Sequence, residues 1–269
     1  MNKHHPTAVI HPRAQIAPGV EIGPFAFIGE HVSLGKGTVI GSHAFIDGWT
    51  RIGEGNHIFP GAVIGTVPQD LKYKGEKTTL EIGNNNVIRE YVTINRGTAG
   101  GGGKTTLGNN CLLMAYVHIA HDCQVGDKVV MSNLTTLGGH VVIQDEVWIG
   151  GLVGIHHFVT VGRLAFLGGY SKVVKDIPPF MLADGQPALV RGLNVVGLRR
   201  ANFSREVLTS LKKTYRLLYR NHLNTSQAMK KVEEKLKKTE EVKYLLEFMK
   251  KTARGRMGRA REKESLSVR

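Results

Sequence analysis

An aliphatic residue stands at every sixth position of this chain for more than 150 residues, with two interruptions. The register runs Ile10, Ile16, Ile22, Ile28, Leu34, Ile40, Ile46, Ile52, Ile58, Ile64; it resumes at Ile82, Ile88 and Ile94, then continues in unbroken sixes from Leu107 to Val173. An α-helix repeats at 3.6 residues and an alternating strand at 2, so neither generates a strict six. Short parallel strands wound into a prism, six residues to a side, do. The pattern therefore predicts a mainly β protein, a parallel β-helix, with the first position of each hexad pointing inward. The second position is often glycine (Gly23, Gly35, Gly53, Gly126), expected to serve a tight corner. The fifth is often small or β-branched (Ala26, Val32, Thr38, Ala44), as a narrow interior requires.

This spacing resembles the hexapeptide-repeat family. The resemblance implies coils of three sides wound left-handed, against the right-handed preference of ordinary crossovers. After Val173 the register stops, Pro178-Pro179 breaks the chain, and a Gly- and Pro-punctuated stretch runs from Gly185 to Gly197. From Ser204, a candidate N-cap with Glu206 in the first turn, apolar residues recur at three and four: Val207, Leu208, Leu211, Tyr215, Leu218. Thr225 or Ser226 is expected to cap a second helix carrying Met229, Val232 and Leu236, and a third carries Val242, Leu245, Leu246 and Met249. We expect residues 1–190 to form the prism, with excursions at 66–80 and 96–105. Residues 191–269 are expected to form a C-terminal α-helical domain that frays into a basic tail beyond Arg254.

Charge divides along the same line. Residues 199–269 hold 21 Lys and Arg against 8 Asp and Glu, whereas residues 1–198 hold 15 against 14. A basic end of this kind attracts an acidic partner: nucleic acid, anionic lipid or an acidic carrier protein. No aromatic single-strand platform or DNA-reading motif accompanies it, which makes nucleic acid the weakest of the three. With no signal peptide and no long apolar run, we expect a soluble, cytoplasmic chain without stable membrane insertion. Cys111 and Cys123 fall at the fifth hexad position and are expected to point inward as reduced core residues.

Residues 18 apart stack along one edge of a three-sided coil, at the ~4.8 Å spacing of neighbouring strands. That places His121, Gly139 and His157 in one column, with His140 and His156 beside it and His118 three residues before His121. Two chemistries fit such a ledge. A metal site needs converging neutral imidazoles and an open position; an acid–base site needs one imidazole with a partner to fix its tautomer, and Asp122 offers a carboxylate. The residues alone leave both open. The excursions carry Gln69-Asp70-Leu71-Lys72-Tyr73 and the run Gly100 to Gly103, and interruptions of a regular coil are where binding residues tend to sit. Gly103-Lys104-Thr105 suggests a phosphate loop but lacks the glycine required where Thr98 stands, so a mobile glycine loop is expected instead.

Taken in order, these segments resemble the UDP-N-acetylglucosamine O-acyltransferase family, which begins lipid A synthesis. The resemblance is carried by Gln69-Asp70-Leu71-Lys72-Tyr73, Arg96-Gly97-Thr98, His118-Ile119-Ala120-His121-Asp122-Cys123, Gly139-His140-Val141, His156, Asp176-Ile177-Pro178-Pro179 and Gly197-Leu198-Arg199-Arg200. It implies transfer of an (R)-3-hydroxyacyl chain from acyl carrier protein to the 3-hydroxyl of the UDP-sugar, without metal or other cofactor and without a covalent acyl-enzyme. It implies His121 as general base, Asp122 as its orienting partner and the Gly139 N–H as oxyanion donor. Asp70, Lys72, His118, His140, His156, His157 and Arg200 are implied to position the substrates, and Gly169 to leave the acyl groove open to a longer chain. A homotrimer with sites between neighbouring prisms is implied too, and the basic helical end then becomes a dock for the acidic carrier. The chain departs from the family at Asn95, where His is common, and at His157, where Gln is common; both bear on whether the acceptor carries a 3-hydroxyl or a 3-amino group. Other acyltransferases of the repeat family, a zinc hydratase and a passive β-helical scaffold are the competing readings. The Asp70 loop and the C-terminal match oppose the first, metal analysis separates the second, and interruption of the repeat opposes the third.

Overall fold

Each hexad folds as one short strand, typically two residues such as Val39–Ile40, followed by a turn. The structure is a computed structural model describing residues 3–221, 223–236, 239–254 and 257–262. Successive strands are dealt in rotation to three sheets of 11, 9 and 8 strands, which form the three faces of a left-handed parallel β-helix. Residues 18 apart pair in register, Ile10 beside Ile28 and Leu113 beside Met131. Of the 25 register residues all are buried except Ile10 and Ile16 near the N-terminal end, and together with the fifth-position residues they make one continuous core. Burial of the full set stabilises the prism by roughly 1.5–3 kcal/mol for each large side chain, before chain entropy is counted.

The corner chemistry differs from the expectation for the second hexad position. The left-handed residue of the turn is the fourth, not the second: Phe25, His43, Tyr91, Tyr116, Asp122, His140 and Phe158 all have φ near +60°. Second-position glycines instead permit close stacking. A Cβ at Gly35 would lie 2.4 Å from the Gly53 backbone, and one at Gly41 would lie 2.7 Å from Pro60 N. The coil rise leaves no room for a methyl group there, whatever the local φ.

The two excursions lengthen single coils. Ile52 pairs with Ile82, thirty residues on, and Ile82 with Leu107, twenty-five on, after which the regular spacing returns. The sheet also continues beyond Val173. Met181–Gly185 adds in parallel and then folds back as an antiparallel hairpin with Ala188–Leu193, so β structure extends past residue 190. Helix α1 (Val195–Arg200) follows, then α2 (Arg205–Tyr219), α3 (Thr225–Lys235) and α4 (Glu240–Ala253). Ser204 caps α2 as expected, through its side chain on Val207 N–H. Helix α3 is capped by Asn224, in a reciprocal capping box with Gln227, rather than by Thr225 or Ser226. The helices share an apolar core with Phe180 and Met181, which seals the last coil. No helix among the described residues is long and apolar enough to cross a membrane. The tail beyond Arg254 does not simply fray, because residues 257–262 pack back on the prism; residues 255, 256 and 263–269 lie outside the described residues.

Candidate active site

The ledge forms at the corner where strand His118–Ile119 of the nine-stranded sheet gives way to Gln124–Val125 of the eight-stranded sheet. Asp122 is the left-handed residue of that turn, at φ 59°. The turn aims its carboxylate back into the corner, where it is buried. His121 Nδ1–H donates to Asp122 Oδ2 at 2.7 Å, which leaves Nε2 as the unprotonated nitrogen on the cavity side. Thr98 completes the arrangement: its N–H donates to Asp122 Oδ1 at 2.8 Å and its hydroxyl to Oδ2 at 2.6 Å. Burial alone would raise the Asp122 pKa, but the hydrogen bonds from His121 and Thr98 outweigh it and hold the carboxyl below its ordinary value.

The glycine run of the second excursion meets this centre through Gly101. It forms a short 3-10 turn, Ala99–Gly101, and a Cβ at Gly101 would fall 2.0 Å from the Asp122 carboxyl carbon. Only a glycine lets the turn close over the acid. The first excursion is fastened by Arg96, which is buried; its guanidinium donates to the Gly65 carbonyl at 3.0 Å and to the Tyr73 hydroxyl at 2.9 Å. Asn95 adds a bond from its amide to the Val67 carbonyl at 2.9 Å. These bonds hold Asp70 and Lys72 beside the ledge, with the Lys72 N–H donating to Asp70 Oδ1 at 3.0 Å.

A cavity of about 980 Å³ opens between the excursions and the ledge; Asp70, Lys72, His121, Gly139, His140 and His157 all line it. Gly139 lies directly beneath the catalytic candidate: a Cβ there would be 2.5 Å from His121 Cε1 and 2.7 Å from Nε2. His140 stacks on Phe158 at 4.3 Å and meets His121 edge-on at 5.1 Å. Its Nδ1 is 3.8 Å from Asp122 Oδ2. Burial lowers the pKa of His140, and burial followed by the neighbouring His121 does the same for His118, so both rings favour the neutral form. His118 sits behind the ledge with Nδ1 2.6 Å from the Thr93 hydroxyl, and His156 is engaged by Arg259.

Two expected residues lie elsewhere in this chain. Gly169 is on a different corner of the prism, backed by the Gly151 carbonyl at 3.3 Å from where its Cβ would be, and Arg200 is exposed in the last turn of α1. Thr98, Arg96, Gly101, Phe158, Arg261 and Glu262 belong to the site but were given no role in it from the sequence, although Arg96, Thr98 and the glycine run were noted there. The first three had a signal in the excursion itself, since an interruption kept in an otherwise strict repeat must touch something. His121, Asp122 and His140 bring ligand atoms within 4.8 Å of one another, as do His156, His157 and Glu262. In the first set the Asp122 oxygens are already taken by Thr98 and His121, which favours the acid–base arrangement over a cation site.

Comparison with known proteins decides between the enzyme families. Residues 176–257 match the second domain of the UDP-N-acetylglucosamine O-acyltransferase family, and residues 104–139 match the bacterial transferase hexapeptide repeat. An acyl-[acyl-carrier-protein]–UDP-N-acetylglucosamine O-acyltransferase from Thermodesulfovibrio yellowstonii is 49% identical over 95% of this chain and 99% of its own. The chain belongs to the UDP-N-acetylglucosamine O-acyltransferase family. It is accordingly an acyltransferase. The solved UDP-N-acetylglucosamine acyltransferase of Bacteroides fragilis superposes with a TM-score of 0.89 at 46% identity, covering 91% of this chain and 96% of that one. The enzyme from Acinetobacter baumannii gives 0.87 at 43%, over 90% and 95%.

Proposed function

We propose that this acyltransferase moves an (R)-3-hydroxyacyl chain from acyl carrier protein to the 3-position of UDP-N-acetylglucosamine, the first step of lipid A biosynthesis, with His121 as general base. The observation that carries the reading is the Thr98–Asp122–His121 relay ending beneath an open cavity. Asp122 accepts the Nδ1 proton and so fixes the tautomer whose Nε2 lone pair takes the sugar hydroxyl's proton. The oxygen attacks the thioester carbonyl as that proton leaves. Negative charge then builds on the carbonyl oxygen beside Gly139, whose N–H makes no hydrogen bond among the described residues. Such a donor is typically worth ~10²–10³ in rate. Collapse expels the carrier thiolate, which recovers the proton from Nε2, and no covalent acyl-enzyme or cofactor is needed.

Neutral His140 suits a cavity wall that faces an uncharged part of the sugar, with neutral His118 behind the ledge, while Asp70 and Lys72 stand at the opposite excursion to hold polar groups of the acceptor. We place Gly169 and Arg200 in the same reaction through a homotrimer, in which a neighbouring prism brings its own edge to this cleft. The basic helical end serves as the carrier-protein dock, and the enzyme works in the cytoplasm. The experiment is product mass after incubation with UDP-sugars and a panel of carrier-protein thioesters. An ester of 3-hydroxyacyl on UDP-N-acetylglucosamine supports the reading. Acylation from acetyl coenzyme A alone, or transfer that follows a bound zinc ion, contradicts it.

A further inference from the structure

The end of the described chain turns back over the ledge and is held at three points. Gly258, at φ +70°, has no room for a Cβ, which would lie 1.8 Å from Asp176 Oδ2. Next to it the Arg259 N–H donates to Asp176 Oδ1 at 3.2 Å, an oxygen that also accepts from Thr160 N–H at 2.8 Å. The Asp176 carboxylate therefore ties this segment to the coil. Second, the Glu262 carboxylate engages both His157 Nε2 and the Arg259 guanidinium, and Arg259 Nη1 donates to His156 Nδ1 at 2.7 Å. Third, Arg261 Nη2 donates to the His140 carbonyl at 3.2 Å, with its guanidinium 5.8 Å from the Phe158 ring.

Arg261 lines the same cavity as Lys72, His121 and Gly139. Its Nε is buried without a hydrogen-bond partner among the described residues, and the residue forms no ion pair among them. The acids nearby are already engaged: Asp176, which also feels the Arg261 charge, by the Thr160 and Arg259 N–H groups, Glu262 by His157 and Arg259, Asp70 by the Lys72 N–H, Glu76 by the Lys74 N–H. A cation kept in a cavity wall with a spare donor and no ion-pair partner among the described residues is arranged to receive an anion, and the planar fork of a guanidinium matches phosphate oxygens.

We propose that Arg261 is a substrate-positioning residue of this site, binding a phosphate group of a substrate seated in the cavity. The proposal rests on the functional reading above, under which two phosphate-bearing groups reach the cleft: the diphosphate of the sugar nucleotide and the phosphodiester of the carrier's pantetheine arm. It also gives the C-terminal segment a task, since its three anchors hold Arg261 at the cavity wall.

The test uses the full chain with Arg261→Ala and Arg261→Lys. For each, calorimetry measures binding of inorganic pyrophosphate and of 4′-phosphopantetheine to the resting enzyme, and steady-state assays give kcat and the KM of both substrates. Arg261→Ala is expected to weaken one probe by roughly tenfold or more, the usual cost of a lost charge-assisted hydrogen bond. The KM of the corresponding substrate rises in step, kcat stays within a few-fold, and Arg261→Lys falls between. Loss confined to pyrophosphate and the sugar nucleotide assigns the nucleotide; loss confined to the pantetheine probe and the donor assigns the carrier. Probe affinities and both KM values within twofold of wild type overturn the proposal, as does an effect on kcat alone or a wild-type enzyme that binds neither probe. A melting temperature lowered in the alanine variant shifts the decision to Arg261→Lys. If the wild-type chain fails to acylate UDP-N-acetylglucosamine, the functional reading falls while probe binding still decides the role of Arg261.

Discussion

Asp122→Asn isolates the relay, because the side chain keeps its shape and loses only its charge and one acceptor. The carboxylate accepts from Thr98 N–H at 2.8 Å, Thr98 hydroxyl at 2.6 Å and His121 Nδ1 at 2.7 Å. An asparagine cannot accept all three. With its oxygen toward Thr98, its amide points at His121 Nδ1 as a donor, and the ring answers by carrying its proton on Nε2, where the base must be empty. With the amide reversed, it opposes the Thr98 N–H and leaves a buried donor unsatisfied, at a cost of about 1–3 kcal/mol. The first arrangement removes the competent tautomer and the second, which would keep it, is opposed by that buried donor, so kcat should fall by ~10²–10⁴, equivalent to about 3–5 kcal/mol of barrier. Carrier-protein KM should change little, since Asp122 does not line the cavity. The stability signature has a definite sign. The folded carboxyl titrates below its ordinary value, so its contribution is fully present above the unfolded pKa near ~3.9 and is lost as pH falls through the folded value. The melting-temperature gap between wild type and Asp122→Asn should therefore narrow on strong acidification. Single-turnover acyl transfer at neutral pH and a melting series from neutral to acid pH check the two parts. A variant turning over within a few-fold of wild type refutes the relay.

Gly139→Ala should cost activity without unfolding the chain: its Cβ would overlap the His121 ring at 2.5 Å, and a displacement of about 1 Å at a reacting group can cost ~10²-fold; wild-type turnover contradicts the packing argument. Donor KM should rise with salt, because exposed charges are screened beyond about 8 Å at physiological ionic strength, and charge reversals among the Lys and Arg of residues 199–254 should raise it more than the sugar-nucleotide KM. Indifference to both makes the basic end a solubility feature. Gly169→Met should shift preference from a hydroxymyristoyl to a hydroxydecanoyl donor, since four methylenes at about 0.8 kcal/mol each are worth ~3 kcal/mol when the groove is open; a wild-type enzyme that already prefers the short donor refutes the ruler.

The prism and the ledge were legible because both follow from a strict period. A residue at every sixth place defines three-sided coils, and eighteen-residue stacking alone set His121, Gly139 and His157 on one edge. The helix at Ser204 was legible from a cap and a 3.6 period. What escaped depended on contacts between distant segments. Asn224 and Thr225 are both good caps, and the choice turned on Gln227 reaching back to complete the box. The second-position glycines look like turn residues in sequence, yet the left-handed φ falls two residues later, and only the closeness of the next coil shows why they lack a Cβ. Gly100 to Gly103 reads as a loose loop because nothing local reveals that Gly101 meets the Asp122 carboxylate, twenty-one residues away. The hairpin after Val173 has no six-residue register to announce it. Residues 257–262 read as tail because their anchors, Asp176, His156 and His157, lie at least eighty residues upstream.

The central claim is that His121 removes the proton from the acceptor hydroxyl. The most direct measurement is the single-turnover rate of 3-hydroxymyristoyl transfer from carrier protein to UDP-N-acetylglucosamine, read by product mass, for wild type and His121→Ala at matched assembly state and melting temperature. The account predicts the O-acylated sugar nucleotide from wild type and a rate lower by ~10²–10⁴ in the variant, the span expected for loss of a general base. A folded His121→Ala enzyme that forms the same product within a few-fold of the wild-type rate would contradict it.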